Sequence, residues 1–356
     1  MSKLLVFATK GSGTNEESRI IELVSDSEYE VFSFNPRKKI ISALELLLKI
    51  VRNTNYLVVM EGSGIGGGIP LIFSRLFFGT RYVVSSGDSI ADFLSAKFPT
   101  GRALFTIYEF LLYRFSSGFI GWTPYLVGRA LTMGAPKAMS APGWTTLTFA
   151  EDKAKVRQEV RTQLKIPDNV VLAGIVGSLD WNERNQYCYG LELVEAILRS
   201  PEENFHAIII GDGTGLKKLN DLVSSVAKER IHFIGRVEGE KLSRLLQSLD
   251  VAILPQSTDG VGSYRYTTKI SEYLGAELPI IVNKIPLFFD LPNETFICLP
   301  GKNPWDKDFW NALALTLSSP DFLDKINKNC KSTFFTTLFS ASRQRKSVDA
   351  FLSDIK

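Results

Sequence analysis

The sequence predicts an α/β protein built on two doubly wound parallel sheets. Three observations predict it. Short apolar runs alternate with amphipathic helical patterns, glycine-containing turns follow the runs, and the alternation restarts near residue 170 after a charged stretch. A chain of 356 residues is long for one compact domain and comfortable for two.

In the first half, strands are predicted at KLLVFA (3–8), YEVFSF (29–34), NYLVVM (55–60), RYVVSS (81–86) and GFIGW (118–122). Helical periodicity fills ESRIIELVS (17–25), ISALELLLKIVRN (41–53), PLIFSRLFF (70–78) and TPYLVGRALTM (123–133). These make a first domain over 1–145. APGW and the charged EDKAKVRQEVRTQLKIPDN read as a linker and leading helix, bounded at 146–168. A second domain over 169–335 restarts at VVLAGIVG (170–177) and continues through FHAIIIGDGTG (205–215), IHFIG (231–235), DVAILP (250–255) and LPIIV (278–282). Helical segments close the chain at WDKDFWNALALTLSS (305–319) and in a last helix within 336–356.

Composition excludes several functions. A formal charge of +3 is too small to argue for nucleic acid. A pI near 8.6 is compatible with an anionic membrane surface without requiring one. Cys188, Cys298 and Cys330 have no metal-type spacing and read as buried free thiols. His206 and His232 start apolar runs and read as structural. With two histidines and no Cys/His cluster, neither a zinc site nor a histidine base is expected. The N-terminus is too soon polar for a signal peptide, and no run reaches the ~18 apolar residues of a spanning helix. A cytoplasmic chain is expected, with the inner face of the plasma membrane as the alternative address.

The most informative segment is TTKISEYLGAELPII (267–281). Thr267 and Thr268 open a predicted helix whose free N–H groups and dipole suit a phosphate. Lys269 adds a full positive charge. Glu272, on the same face one turn in, suits the two hydroxyls of a ribose. The plain alternative is an amphipathic helix with a solvated Lys and Glu.

Other loops carry weaker signals. KGSGTNEES (10–18), with Gly11 and Gly13, follows a strand, but Glu16 stands where a third glycine of a dinucleotide fingerprint belongs. It reads as a capped turn or as a glycine loop against a ligand. EGSGIGGGIP (61–70), which Glu61 opens, lacks the Gly-Lys-Ser/Thr ending of an ATPase loop and reads as an acceptor-side or flexible cleft wall. Asp88 in SSGDSIADF is either a helix cap or a carboxylate that orients an acceptor hydroxyl. Residues 98–125 crowd aromatics between Arg102, Arg114 and further basic residues. They read either as core covered by arginine stems, with Phe110 inside, or as a helix lying in a membrane interface.

The order of Gly-Asp-Gly strand end, Gly turn and Lys-x-x-Glu-Tyr helix resembles the C-terminal half of the retaining GT-B glycosyltransferases of the family-four type. The likeness is good over 170–285. It implies two Rossmann-like domains facing a central cleft, a nucleotide-sugar donor on the C-terminal domain and a glycan or lipid-linked acceptor on the N-terminal one. Gly177, Ser178, Arg184, Gly235, Arg236, Val237, Tyr264, Thr267, Thr268, Lys269 and Glu272 are then the donor residues, with Arg184, Lys269 and Asp88 catalytic and Gly11, Gly13, Glu61 and Asp88 on the acceptor side. A UDP-sugar is the expected co-substrate, a GDP-sugar the alternative. No other cofactor and no metal is expected. The last helix is implied to return to the first domain. Two positions depart from the family pattern. Ser178 replaces an Arg held against the diphosphate, for which Arg184 is the expected substitute. Tyr264 replaces the first Glu of Glu-x7-Glu. A sugar-nucleotide epimerase and a non-catalytic scaffold remain alternatives.

Overall fold

The computed structural model describes residues 3–200, 204–223, 227–285, 296–322 and 339–355. Cys330 lies outside them. The chain divides into two compact units. One comprises the described residues of Met1–Trp144, Asp259–Thr267 and Thr336–Lys356, the other those of Thr145–Thr258 and Thr268–Phe335.

The first unit runs β1 (Leu4–Ala8), α1 (Asn15–Leu23), β2 (Tyr29–Val31), α2 (Lys39–Arg52), β3 (Leu57–Glu61), α3 (Ile65–Phe78), β4 (Arg81–Ser86), α4 (Ile90–Lys97), α5 (Arg102–Arg114), β5 (Gly118–Gly121), α6 (Pro124–Thr132) and β6 (Ala138–Ser140). Its six strands form a parallel sheet in the order β2-β1-β3-β4-β5-β6. The inner strands β1, β3, β4 and β5 are buried on both faces, which is why they read as continuous apolar runs, while the edge strands β2 and β6 are half-buried. One face packs on α2 to α6 through Leu46, Leu71, Tyr113 and Leu126. The other packs on α1 through Ile20 and Leu23 and on a later helix through Val348 and Leu352.

The second unit runs α7 (Lys153–Leu164), β7 (Val171–Val176), α8 (Leu191–Arg199), β8 (Phe205–Ile210), α9 (Leu216–Leu222), β9 (Ile231–Gly235), α10 (Gly239–Ser248), β10 (Val251–Ile253), α11 (Lys269–Gly275), β11 (Ile280–Asn283), β12 (Phe296–Leu299) and α12 (Lys307–Leu317). Its parallel sheet has the order β12-β11-β10-β7-β8-β9. The later helix of the first unit is α13 (Ala341–Ser353). It is tied beside α1 by Asp349 accepting from Ser27 (2.7 Å) and by Arg345 paired with Glu22 (2.6 Å).

Four readings need correction. The glycines of 64–68 do not form a flexible wall. They are the first turn of α3, and a Cβ on Gly68 would stand 2.0 Å from the Tyr108 hydroxyl, so glycine is what lets the helix lie this close to α5. The helix predicted from 267 spans only Lys269–Gly275, because Glu277 turns into the left-handed region (φ 56°). Residues 259–267, placed in the second domain from sequence, group with the first unit. There Thr123 donates to the Tyr264 carbonyl (3.1 Å), and the Tyr266 hydroxyl donates to the Gly143 carbonyl (3.2 Å). The core reading of the aromatic segment holds only in part. Tyr108, Tyr113 and Phe119 are core, whereas Phe110 is exposed, so the account that buries Phe110 fails.

Candidate active site

In the second unit, the loop after β7 and the start of α11 are locked together. The Val176 N–H donates to the Tyr273 hydroxyl (3.0 Å), joining the last residue of β7 to α11. Tyr189 packs over Gly177, where a Cβ would meet its ring at 2.5 Å, and the Lys269 ammonium lies 4.9 Å from the same ring. Gly177, Tyr189 and Lys269 therefore share one corner at the carboxyl ends of the strands, where ligands of open α/β sheets bind. Glu272 stands one turn along α11, partly buried. Burial raises its pKa and Lys269 opposes the rise. Thr268 is the N-cap of α11 but makes no side-chain cap bond.

The remaining residues expected on the donor side are placed less tightly. The Ser178 hydroxyl donates to Asp180 (2.8 Å), so it braces its own loop. Arg184 is exposed on a small turn, its N–H donating to Asn182 (3.0 Å). Gly235 ends β9 and its carbonyl accepts from Gly211 (2.9 Å). Arg236 does not pack beside a base-sized space but extends into solvent, paired with Glu238 at 2.6 Å, and Val237 follows it half-buried. The Gly-Asp-Gly turn has a packing reason of its own. A Cβ on Gly211 would meet the Gly177 carbonyl at 1.8 Å, so the two loops are in backbone contact. Tyr264 and Thr267 belong to the first unit. The Tyr264 ring lies 6.5 Å from that of Tyr125 and 5.7 Å from the Arg129 guanidinium.

In the first unit, the carboxyl ends of β1, β3 and β4 open into a cavity of about 690 Å³. At its floor is Glu61, fully buried. Its carboxylate accepts from Arg19 (2.8 Å) and from the Trp122 indole N–H (3.2 Å). Arg19 also donates to Ser85 (3.2 Å) and to the Ala141 carbonyl (2.5 Å), and its guanidinium stacks on Trp122 at 4.2 Å. Burial raises the pKa of Glu61 and lowers that of Arg19, while their mutual attraction opposes both shifts. Asp88 lies on the cavity wall with Arg265 at 3.2 Å. It is not the cap of α4. Ser89 is the N-cap, and the N–H groups of Ile90 and Ala91 donate to the buried carboxylate of Glu109, 3.2 Å each. Glu109 is held in turn by a two-pronged contact with Arg129 (2.9 and 2.7 Å).

Gly11 and Gly13 lie in a capped turn between the cavity-lining Lys10 and Thr14. Thr14 is the N-cap of α1 and donates to the Gly11 carbonyl (2.7 Å), and Glu17 accepts from the Gly13 N–H (2.7 Å). Sequence reasoning missed Arg19, Arg265 and Tyr266. An arginine on the apolar stripe of ESRIIEL was the available signal for Arg19. Arg265 and Tyr266 are distant in sequence from everything they meet here. The pKa of the buried Cys188 thiol is pushed up to about 12 by burial, and His206 stacks on His232 with rings 5.6 Å apart. Among the described residues no group of three or more His, Cys, Asp or Glu is arranged to hold a metal.

The family model for glycosyl transferases group 1 matches residues 171–317, from β7 to α12. The O-antigen biosynthesis glycosyltransferase WclY of Escherichia coli is 30% identical over 145 residues, which is 40% of this chain and 37% of that protein. The chain thus matches little over a third of the length of this curated relative. Among solved structures, Anabaena HepE in complex with UDP superposes with a TM-score of 0.71 at 14% identity, over 99% of this chain and 100% of that one. Sucrose-phosphate synthase from Thermosynechococcus elongatus superposes with a TM-score of 0.72 at 14% identity, over 100% and 99%. The fold is therefore GT-B, with two Rossmann-like α/β units.

Proposed function

We propose that this chain is a glycosyltransferase that moves a sugar from a nucleoside-diphosphate sugar to a glycan or lipid-linked acceptor. The observation that carries this reading is the group 1 glycosyltransferase match over 171–317, which contains the whole Gly177–Tyr189–Lys269–Glu272 corner. The second unit is read as the donor side. Lys269 and the uncapped start of α11 meet the diphosphate, Glu272 holds the ribose, and the backbone around Gly235 faces the base. Arg184 supplies the charge missing at Ser178. The UDP complex of HepE supports a UDP-sugar as donor, with a GDP-sugar as the alternative. The cavity of the first unit is read as the acceptor site, with Asp88 in reach of an acceptor hydroxyl and Glu61 on its floor.

The chemical difficulty is the leaving group. As the bond from the anomeric carbon to the diphosphate oxygen breaks, negative charge collects on the diphosphate. Fixed cations stabilise that charge more in the transition state than in the ground state. The acceptor oxygen bonds to the anomeric carbon on the face the diphosphate leaves, so configuration is retained. The acceptor proton passes to a departing phosphate oxygen, so no side-chain base is needed. Metal independence belongs to the same proposal, since Lys269 and Arg184 take the part a cation would play.

A non-catalytic scaffold is the second reading, favoured by Ser178, whose hydroxyl is occupied by Asp180. One experiment separates the readings. The protein is incubated with a panel of nucleotide-sugars, with and without membrane lipid extract, and both free nucleotide and the identity of the remaining nucleotide-sugar are followed. Release only with acceptor supports transfer. Donor conversion without acceptor points to an epimerase, and neither outcome leaves the scaffold.

A further inference from the structure

A helix that covers a sheet normally turns its apolar stripe inward and a polar face to water. In the first unit α2, α3 and α5 are apolar on both sides. On α2, Leu46 and Ile50 are buried while Ile40, Ile41, Leu44 and Leu48 are exposed. On α3, Leu71 is buried while Ile69, Phe73, Leu76, Phe77 and Phe78 are exposed. On α5, Leu112 and Tyr113 are buried while Leu104, Ile107 and Phe110 are exposed. The three helices are neighbours in one layer, α3 packing beside both α2 and α5, so these side chains form one patch. Phe73 and Phe77 already cluster within it, rings 4.5 Å apart. The opposite layer is an internal control: among the described residues, α1 and α13 expose no large apolar side chain. Contiguous apolar surface beyond a few hundred Å² marks an interaction site.

Charge selects the occupant. Glu45 is the one exposed acid on these three helices, since Glu109 is buried against Arg129. Lys39, Arg52, Arg102 and Arg114 are exposed beside the patch, with Arg75 half-buried on α3. A second copy of this chain pairing through the same patch would set these cations against themselves. An apolar surface edged with negative charge meets both requirements. The geometry points to an anionic bilayer: α2, α3 and α5 seat their outer faces among the lipids, and the basic residues meet the head groups. Lys39, Lys97 and Phe98 line the cavity of the first unit as well, so docking holds that cavity at the head-group level. That the acceptor is then a membrane lipid rests on the reading of the cavity proposed above. The docking does not, and the test reads docking alone.

The full chain is sedimented with vesicles of phosphatidylcholine and of phosphatidylcholine with phosphatidylglycerol, at low and high salt, with no donor present. Partitioning onto the anionic vesicles at low salt is expected to exceed that onto neutral ones by at least about tenfold, and high salt is expected to weaken it. The triple variant Ile40→Ser, Phe77→Ser, Leu104→Ser removes side chains that are 79%, 67% and 71% exposed, so it keeps its fold by circular dichroism. It is expected to lose at least about tenfold in partitioning onto anionic vesicles. Absence of binding to anionic vesicles at low salt overturns the proposal. So does equal binding to neutral vesicles. Light scattering that finds the parent dimeric and the triple variant monomeric also overturns it, in favour of a second copy.

Discussion

At Glu272 a carboxylate stands partly buried beside Lys269, and burial raises its pKa. Hydrogen bonds to charged groups are worth roughly 1.5–3 kcal/mol. Glu272→Ala is therefore expected to weaken nucleoside-diphosphate binding about ten- to a hundredfold. Calorimetric titration of the folded variant checks this, and unchanged affinity removes Glu272 from the site. In the proposed reaction Lys269 and Arg184 face a charge that grows as the diphosphate leaves. Each change to Ala is expected to cost on the order of a hundredfold in kcat, more than in donor affinity. Normal turnover in Arg184→Ala would show that Arg184 does not replace the arginine missing at Ser178. The Arg19–Glu61 pair makes a different prediction. Both side chains are buried, so removing one leaves the other as an unpaired buried charge. Either single change to Ala is expected to cost about 3–5 kcal/mol. The double change Arg19→Met, Glu61→Leu is expected to cost less than either single one, and a double-mutant cycle by urea unfolding measures the difference.

Among the helices, α8 carries a group whose titration makes the stability of its unit depend on pH. Glu192 is fully buried in its first turn, and burial raises its pKa to about 7 from 4.5. Its folded pKa lies above the unfolded one. Its favourable contribution is fully present below about 4.5 and is lost as pH rises through about 7. The loss is on the order of 3 kcal/mol. Glu192→Gln is therefore expected to raise the melting temperature at pH 8 and to leave it nearly unchanged at pH 4.5. A variant that melts like the parent at both values would mean that Glu192 is not titrating in this range. The elements were unevenly legible. β1, β4, β7 and β8 are buried on both faces, so their apolar runs and glycine turns stood out. The edge strands β6 and β12 have three and four residues, too short for periodicity to register. The start of α3 was hidden because glycine, a poor helix former, is there for the sake of close packing on Tyr108. Outward-facing Phe77 and Leu104 could not be told from inward-facing apolar residues by pattern, because both sides of their helices are apolar.

Across the whole chain, what was legible follows sequence separation. Lys269 and Glu272 are three residues apart, so their common helix face could be read directly. Arg19, Glu61, Trp122 and Ala141 meet only through the sheet order β1-β3-β4-β5-β6, which no local pattern encodes. Residues 259–267 return to the first unit for the same kind of reason, held by partners at Asp88, Thr123 and Gly143. The proposed reaction spans both units and carries one prediction about the chain entire. The one Asp-x-Asp of the sequence, Asp306-Lys307-Asp308, lies at the start of α12 and not at a strand end, and in the proposed reaction Lys269 and Arg184 supply the positive charge on the donor side. Fixed side-chain cations need no bound ion to neutralise a leaving diphosphate. Transfer activity, once measured with a matched donor and acceptor, is therefore expected to survive excess chelator unchanged. Loss of turnover with chelator, recovered on adding manganese or magnesium, would mean that a metal carries the diphosphate charge. Lys269→Ala would then lower donor affinity and kcat together instead of acting mainly on kcat, so the two measurements test one mechanism from opposite sides.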